Sequence, residues 1–540
     1  MKAPRCAALT LAMLTTAGSA AASSGIDSPE SGVTQVGRGS AWLARADDPL
    51  AVYFNPAALA FQASGVHVGA QLMFMNRCFT RKGPGNVVVS PGDAAGALGS
   101  LPGPGAPLDP DSAKQVPPPA EVCSDKGAFP NPQIAATFRL TNRLAVGVAL
   151  VAPHASGNNN WPETVPYTTR LGIPTTQPAP NRYMLVSSEA LIVFPTVGVG
   201  YAIADNLSIG ASFLWGVAIV DFVNFSEGIS PPGAATPSSD QFSRNSDLRA
   251  HLSGKDLFIP GFAVSAFWAV TPRLDVSIWA KWTDALRINA ADVNVTARYW
   301  DDVGGVRTDA CAMDPNGDKA CNITDAKGVG SVKFSLPMEV KLGARYHHPR
   351  AAATRPKWAD KPGRRVRDPL SEDLFDLEFD FTWAQNSVVG DLEIGFPKKP
   401  QIPVKGTPSF LPSNANVPHN WVDVAGLRLG GDFVVLPSRL ALRAGGFFET
   451  QGQDDRYLGL DFDVAQKIGV SGGATVRIGP VDVALAYQHT FFATLDNKGR
   501  GAVKALSGDQ TAGFRSQQAI NGGSLRASLN EAGLAGTFRW

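Results

Sequence analysis

Large apolar residues alternate with small or polar ones, position by position, along most of the chain. From Phe375 to Trp383 every odd position is large and apolar and every even position is polar, Asp376, Glu378 and Asp380 being acids. Val332, Phe334, Leu336, Met338, Val340, Leu342, Ala344 and Tyr346 share one face, with Lys333, Ser335, Pro337, Glu339, Lys341, Gly343 and Arg345 on the other. Leu207 to Ile219 splits large from small, and Ile468 to Ile478 and Val481 to Tyr487 alternate likewise. A period of two predicts half-buried strands, not helices. A soluble sandwich alternates too, but three features favour a membrane barrel. Many runs reach the roughly 9–11 residues of a tilted span. Connections are short at one set of strand ends and long at the other. The chain ends on an alternating strand carrying Leu534, Phe538 and Trp540. Backbone in lipid must satisfy its own hydrogen bonds, so such a sheet has to close.

The pattern predicts 14 strands: 64–77, 132–140, 144–153, 182–203, 207–222, 255–270, 274–298, 329–347, 374–388, 419–434, 439–450, 465–478, 481–493 and 527–540. Tight turns fall at Thr141-Asn142-Arg143, Ala204-Asp205-Asn206, Thr271-Pro272-Arg273, Pro437-Ser438-Arg439 and Gly479-Pro480, with a longer basic connection at 348–373. The opposite connections, near 78–131, 154–181, 223–254, 299–328, 389–418, 451–464 and 494–526, are rich in Gly, Pro, Asn and Asp and are expected outside the cell. An even strand number fits a bacterial barrel.

Residues 1–22 carry a basic start (Lys2, Arg5), an apolar stretch to Leu14 and small residues at Ala20-Ala21-Ala22. They read as a secretory signal peptide, too short for a membrane span. The chain carries 48 Lys and Arg against 47 Asp and Glu, a net charge of +1. Loss of Lys2 and Arg5 would make it −1, so nothing in the charge favours a nucleic-acid partner. Runs of about 20 apolar residues are absent after the leader, which excludes a bundle of transmembrane helices. Export leaves Cys78, Cys123, Cys311 and Cys321, an even set that fits disulfides. Of three connectivities, Cys78–Cys123 with Cys311–Cys321 is preferred, because each pair brackets one loop-like segment. Metal ligation is disfavoured, since no C-x-x-C or nearby His is present.

Residues 23–62 do not alternate. Trp42, Leu43, Val52, Tyr53, Phe54 and Leu59 are too many apolar residues for a solvated tail, so the segment is expected to plug the lumen, with the barrel over 63–540. The run Gly39 to Leu59, with A-D-D-P at Ala46 to Pro49 and Y-F-N-P-A-A-L at Tyr53 to Leu59, resembles the N-terminal hatch of the FadL/TodX family. That family comprises outer-membrane transporters of long-chain fatty acids and aromatic hydrocarbons. Pro195 to Ala211, Leu336 to Ala344 and the aromatic last strand are similar to further family patterns. The resemblance implies an all-β fold, a 14-stranded antiparallel transmembrane barrel plugged by a hatch, in the outer membrane of a Gram-negative bacterium. It implies diffusion-driven uptake of a hydrophobic small molecule by a monomer in outer-membrane lipid, without cofactor, metal or covalent catalysis. Hatch and gating roles would fall to Asp47, Asp48, Asn55, Pro56 and Ala57. Lateral release would occur at a third-strand kink, here Pro153, His154 and Gly157. Pro153 cannot donate a ladder hydrogen bond and Gly157 permits a bulge; the plain alternative is that Pro153 merely ends the strand. The long 348–373 connection and large first loop depart from the family pattern.

Other chemistry is weaker. Gly469-Val470-Ser471-Gly472-Gly473 spells G-x-S-x-G, but inside a strand pattern, where no nucleophile elbow forms. Asp314, Asn316 and Asp318 resemble part of a calcium loop without its final Glu. His347 and His348 point to opposite faces of a strand. Asp376, Glu378 and Asp380 are read as a lumenal ladder neutralised by Lys333, Lys341 and Arg345 one strand away. The competing function is an adhesin or structural barrel that binds a partner through disulfide-tied loops.

Overall fold

The computed structural model describes residues 31–82, 121–125, 127–154, 159–168, 174–227, 246–299, 322–351, 366–396, 401–404, 407–410, 415–462, 464–504 and 519–540. The signal peptide, Gly157, Cys311, Cys321 and the calcium-like run lie outside these residues.

Fourteen antiparallel strands close on themselves. They are β1 (Gly65–Arg81), β2 (Phe129–Arg139), β3 (Leu144–His154), β4 (Ser187–Ala204), β5 (Leu207–Glu227), β6 (Ser246–Thr271) and β7 (Leu274–Thr283). The second half comprises β8 (Glu339–Pro349), β9 (Asp373–Ala384), β10 (Val424–Leu436), β11 (Leu440–Glu449), β12 (Lys467–Ile478), β13 (Val481–Phe492) and β14 (Gly523–Arg539). Each pairs with its chain neighbours, and β1 pairs with β14 from Gly65↔Arg539 to Arg81↔Gly523, which closes the sheet. All five tight turns join strands where the sequence places them. In the first, Thr141 Oγ1 accepts from the Arg143 and Leu144 amides at 3.1 and 3.0 Å. At Gly479, φ is +60°, a left-handed conformation that suits glycine.

Two expected strands are each two elements. The run 274–298 breaks after Thr283, and Leu286–Tyr299 pairs with the first part of β6 and with Asn322–Phe334. Together they form a hairpin rising beyond the barrel at the long-connection end. The run 329–347 breaks over 335–338, where Pro337 has no N–H to donate. Lys333 therefore belongs to the hairpin and pairs with Glu393 at 2.7 Å, not with the lumenal acids. Cys78 lies opposite Cys123 on a short strand added to β1, and their sulfurs are bonded at 2.07 Å.

Alternation sorts each strand between two environments. On β9, Leu377 and Phe379 are about half exposed on the outer wall, whereas Asp376, Glu378 and Asp380 are buried inward. Val68, Leu72, Ile134, Val199, Ile278, Leu427, Leu485 and Phe538 extend the outer apolar wall around the barrel. An apolar exterior around a charged interior is the arrangement that lipid selects. His347 and His348 obey the same rule: His347 turns inward to Asp373, and His348 stacks on Phe375.

Phe379→Arg on this belt is expected to lower unfolding free energy by about 2–4 kcal/mol in denaturant titrations of the vesicle-inserted protein. Tyr201→Arg, beside a short turn, should cost only about 0–1 kcal/mol.

Candidate functional site

Residues 31–64 lie inside the barrel. They form α1 (Val33–Val36), α2 (Ala51–Phe54) and a 3-10 turn (Pro56–Phe61), all buried. Helices of four residues do not hold by themselves; contacts to the wall hold these. Ser265 Oγ accepts from the Ala57 amide and Ser208 Oγ donates to the Ala57 carbonyl, each at 2.8 Å. Trp279 Nε1 donates to the Tyr53 carbonyl at 3.0 Å. Ser471, the centre of the G-x-S-x-G run, accepts from the Gly39 amide at 2.8 Å and so anchors this segment. Close approach explains particular glycines: a Cβ at Gly210 would strike the Pro56–Ala57 backbone, and one at Gly430 or Gly445 would strike that of Arg38.

Two arginines carry the strongest attachment. Arg38 reaches Asp376 at 2.8 Å, Asp432 at 2.6 Å and Glu378 at 3.1 Å. Arg45 reaches Asp376 at 2.5 Å, Asp432 at 3.2 Å and Asp47 at 2.9 Å. The acids also accept from this segment's backbone, Asp380 from Trp42 and Leu43 at 3.0 and 3.1 Å, and Glu378 from Ala44 at 2.5 Å. The wall adds Arg345, 2.9 Å from Asp376, and Arg443, 3.2 Å from Asp432. The lumenal ladder is thus neutralised chiefly by the plug. Of the expected cations Arg345 takes part, and Lys341 lies 5.1 Å over the Trp279 ring.

The plug's acids divide by environment. Asp47 is buried, but Arg45 and Arg539 outweigh that and hold its carboxyl at about 2. Burial, reinforced by the charge of Asp47, pushes Asp48 up to about 7; its carboxylate accepts from the Leu50 amide at 2.9 Å. Asn55 Nδ2 donates to the Leu43 carbonyl at 2.7 Å and to Ser277 Oγ at 3.1 Å, pinning one half of the plug to the other and to β7. Pro56 opens the 3-10 turn, where a missing N–H costs nothing. The end of the long basic connection covers this side. The Arg367 amide donates to the Phe61 carbonyl at 2.9 Å, its guanidinium grips Asp275 at 2.8 Å, and Asp368 pairs with Arg477 at 2.6 Å.

Towards the long connections the interior turns apolar. Tyr53 and Phe54 of the plug join Phe194, Leu214, Ile259, Leu286, Phe334, Trp421 and Phe462 in one contiguous cluster. Phe334 and Phe462 stack with centroids 5.3 Å apart. The wall beside this region is interrupted. The β2–β3 ladder runs from Arg139↔Ala145 to Ile134↔Leu150 and goes no further among the described residues. On its other side β3 shifts register between Val151 and His154. Pro153 is buried within that shift.

No family model matches the sequence, and no curated protein matches it either. Solved structures do. A FadL homologue from Pseudomonas aeruginosa aligns over 96% of this chain and 100% of its own, with a TM-score of 0.61 and 16% identity. The P. putida toluene transporter TodX aligns over 95% and 99%, at 0.55 and 12%. The monoaromatic hydrocarbon channel CymD aligns over 94% and 97%, at 0.51 and 14%. The fold is that of the FadL/TodX channels.

In this FadL-type barrel, sequence reasoning reached Asp47, Asp48, Asn55, Pro56 and Ala57 but passed over Arg38, Arg45, Asp432 and Arg443. A signal was present: two arginines in a segment otherwise too apolar to be solvated.

Arg38→Gln leaves buried carboxylates short of a partner, a loss of about 3–5 kcal/mol. The expected result is an intact barrel by heat-modifiable mobility but raised ion conductance in planar bilayers. A second expectation concerns pH. Asp48 binds its proton more tightly in place than in an unfolded chain, so plug stability falls as pH rises from about 4 to 7, by at most about 4 kcal/mol. Asp47 acts oppositely and only in more acidic solution. Protease susceptibility of the plug should therefore rise over that interval in the native protein and stay level in Asp48→Asn.

Proposed function

We propose that this protein is an outer-membrane channel for uptake of hydrophobic small molecules, long-chain fatty acids or aromatic hydrocarbons. The observation that carries the reading is a buried apolar cluster above an ionically anchored plug inside a barrel with an apolar outer wall. The cluster suits an apolar ligand, whereas the layer of paired charges below offers it no path. The plug acts as a hatch, and its movement rearranges the part of the cluster that Tyr53 and Phe54 form. The ligand leaves sideways, between β2 and β3 at Pro153, His154 and Gly157; the shortened ladder and the register shift support this route. Lateral release into lipid spares an apolar solute from crossing the aqueous periplasmic face. The barrel works as a monomer, and transport runs down the ligand's gradient without covalent chemistry. The structural neighbours named above, a FadL homologue and hydrocarbon channels, favour transport over adhesion.

The test is uptake of radiolabelled oleate and toluene by a Gram-negative host lacking its own fatty-acid transporter and expressing this protein. Uptake of one or both is expected to appear with the native form and to fall several-fold in Asn55→Ala, which unpins Leu43 from Ser277. Uptake no faster than in the empty host, with the barrel correctly assembled, would remove the transport reading and leave an adhesive or structural barrel.

A further inference from the structure

Residues 366–372 end the connection between β8 and β9, at the short-turn end of the barrel. Connections normally run over the surface, where water satisfies their backbone, but here Val366, Asp368, Leu370 and Ser371 are buried. The segment crosses the barrel mouth, and its contacts trace the crossing. Next to β9, Ser371 Oγ lies 2.9 Å from Ser438 Oγ in the β10–β11 turn, and the Ser438 amide donates to the Leu370 carbonyl at 2.9 Å. Leu370 packs on Val434 of β10 and Ala441 of β11. Pro369 opens a single helical turn, and Asp368 just before it accepts from Arg477 of β12 through both carboxylate oxygens, at 2.6 and 2.9 Å. Arg367 donates from Nη1 and Nη2 to the two oxygens of Asp275 on β7, each at 2.8 Å, and its guanidinium lies 5.0 Å over Phe267 of β6. Val366 meets Ala63, just before β1. Because β8–β11 separate β7 from β12 around the ring, two bidentate ion pairs hold the segment to wall strands that do not touch each other.

The crossing lies against the hatch. The Arg367 amide donates to the Phe61 carbonyl at 2.9 Å, and Phe61 packs on Phe267 with centroids 5.3 Å apart. The space left between the two is a cavity of about 30 Å³, which Arg45, Asp47 and Asp48 of the hatch line together with Arg367, Asp368 and Leu370. That is room for about two water molecules and no side chain. A hatch moving towards this mouth therefore meets residues 366–372 almost at once. Swinging them aside would break both bidentate pairs and bare Val366 and Leu370 to water.

We propose that residues 366–372 form a strap that bars the hatch from the short-turn mouth, so that the hatch moves only within the lumen and the mouth stays shut during uptake. Arg367 and Asp368 are its positioning residues, since they tie it to opposite parts of the wall. The part of the inference that concerns hatch movement rests on the uptake reading, whereas the sealing of the mouth stands on the contacts alone.

The first measurement is ion conductance of the purified full-length protein in planar bilayers. Arg367→Gln combined with Asp368→Asn should raise it several-fold over the native level, with heat-modifiable mobility unchanged. Adding Ser371→Cys and Ser438→Cys to that variant allows a disulfide where the two hydroxyls now lie 2.9 Å apart. Oxidation should then return conductance to the native level and reduction should restore the leak, with native protein under the same oxidant and reductant as the control for its own cysteines. The second measurement uses Ser371→Cys with Ser438→Cys alone, which keeps both ion pairs. Cells expressing it should take up oleate and toluene as fast as cells with the native protein, whether the cysteine pair is closed or reduced. The proposal is overturned if the Arg367→Gln, Asp368→Asn variant is as tight as the native protein, or if closing the cysteine pair fails to stop its leak. It is equally overturned if closing the pair alone lowers uptake several-fold, because the strap would then have to open. Absence of uptake with the native protein refutes the transport reading instead, and the conductance measurements then decide the strap by themselves.

Discussion

A charge enclosed by a barrel can be neutralised only by what is enclosed with it. Asp376, Glu378 and Asp380 on β9 and Asp432 on β10 face inward, far from water, and burying such groups unpaired costs several kcal/mol each. Arg38 and Arg45 compensate them, and the acids in turn accept the Trp42, Leu43 and Ala44 amides, which no local helix satisfies. Wall and hatch thus need each other electrostatically although they share no sheet. Hydrophobic packing alone would not give this specificity, because apolar contacts tolerate sliding whereas an arginine shared among three carboxylates fixed on different segments does not.

The hatch is also gripped from below. Residues 366–372, the end of the connection that departs from the family pattern, hold Phe61 by its carbonyl and tie Asp275 and Arg477 into one layer. Other groups there retain unfilled capacity: Asp48 Oδ2 and Arg443 Nε and Nη1 lack partners among the described residues. A hatch clamped at every polar atom would have no second arrangement to reach. In the proposed gating, incomplete satisfaction at this layer would keep the energy gap between seated and displaced states smaller than it would otherwise be.

What the sequence discloses follows from how local each signal is. Period-two patterning is read within one strand, so the faces of β9, the five tight turns and the closing aromatic strand are all legible. Where alternation continues across a break, at Thr283 or at 335–338, the pattern cannot tell one strand from two, and Lys333 is drawn into the wrong group. Partners far apart in sequence leave no periodic trace. Arg38 and Asp432 are separated by 394 positions, and nothing near either names the other. The same holds for His419, a lone histidine in an irregular connection that meets Phe334 and Asp461 from elsewhere in the chain. Motif letters mislead for the converse reason: G-x-S-x-G around Ser471 is local and distinct, yet its context is a strand whose serine serves the hatch.

The lumen divides into a layer of paired charges around the plug and an apolar cluster towards the long connections. In the proposed uptake, a solute that prefers the apolar cluster to water gains by entering, yet the charged layer offers it only ion pairs that would have to be broken and left dry. Displacing the hatch completely would open a pore to every small polar solute, which defeats selective uptake. A wall whose ladder is already incomplete poses a smaller obstacle. Between β2 and β3, beyond Ile134↔Leu150, few hydrogen bonds would need to be broken. In the proposed function, the arrangement of charge that bars a downward path is therefore what favours a sideways one.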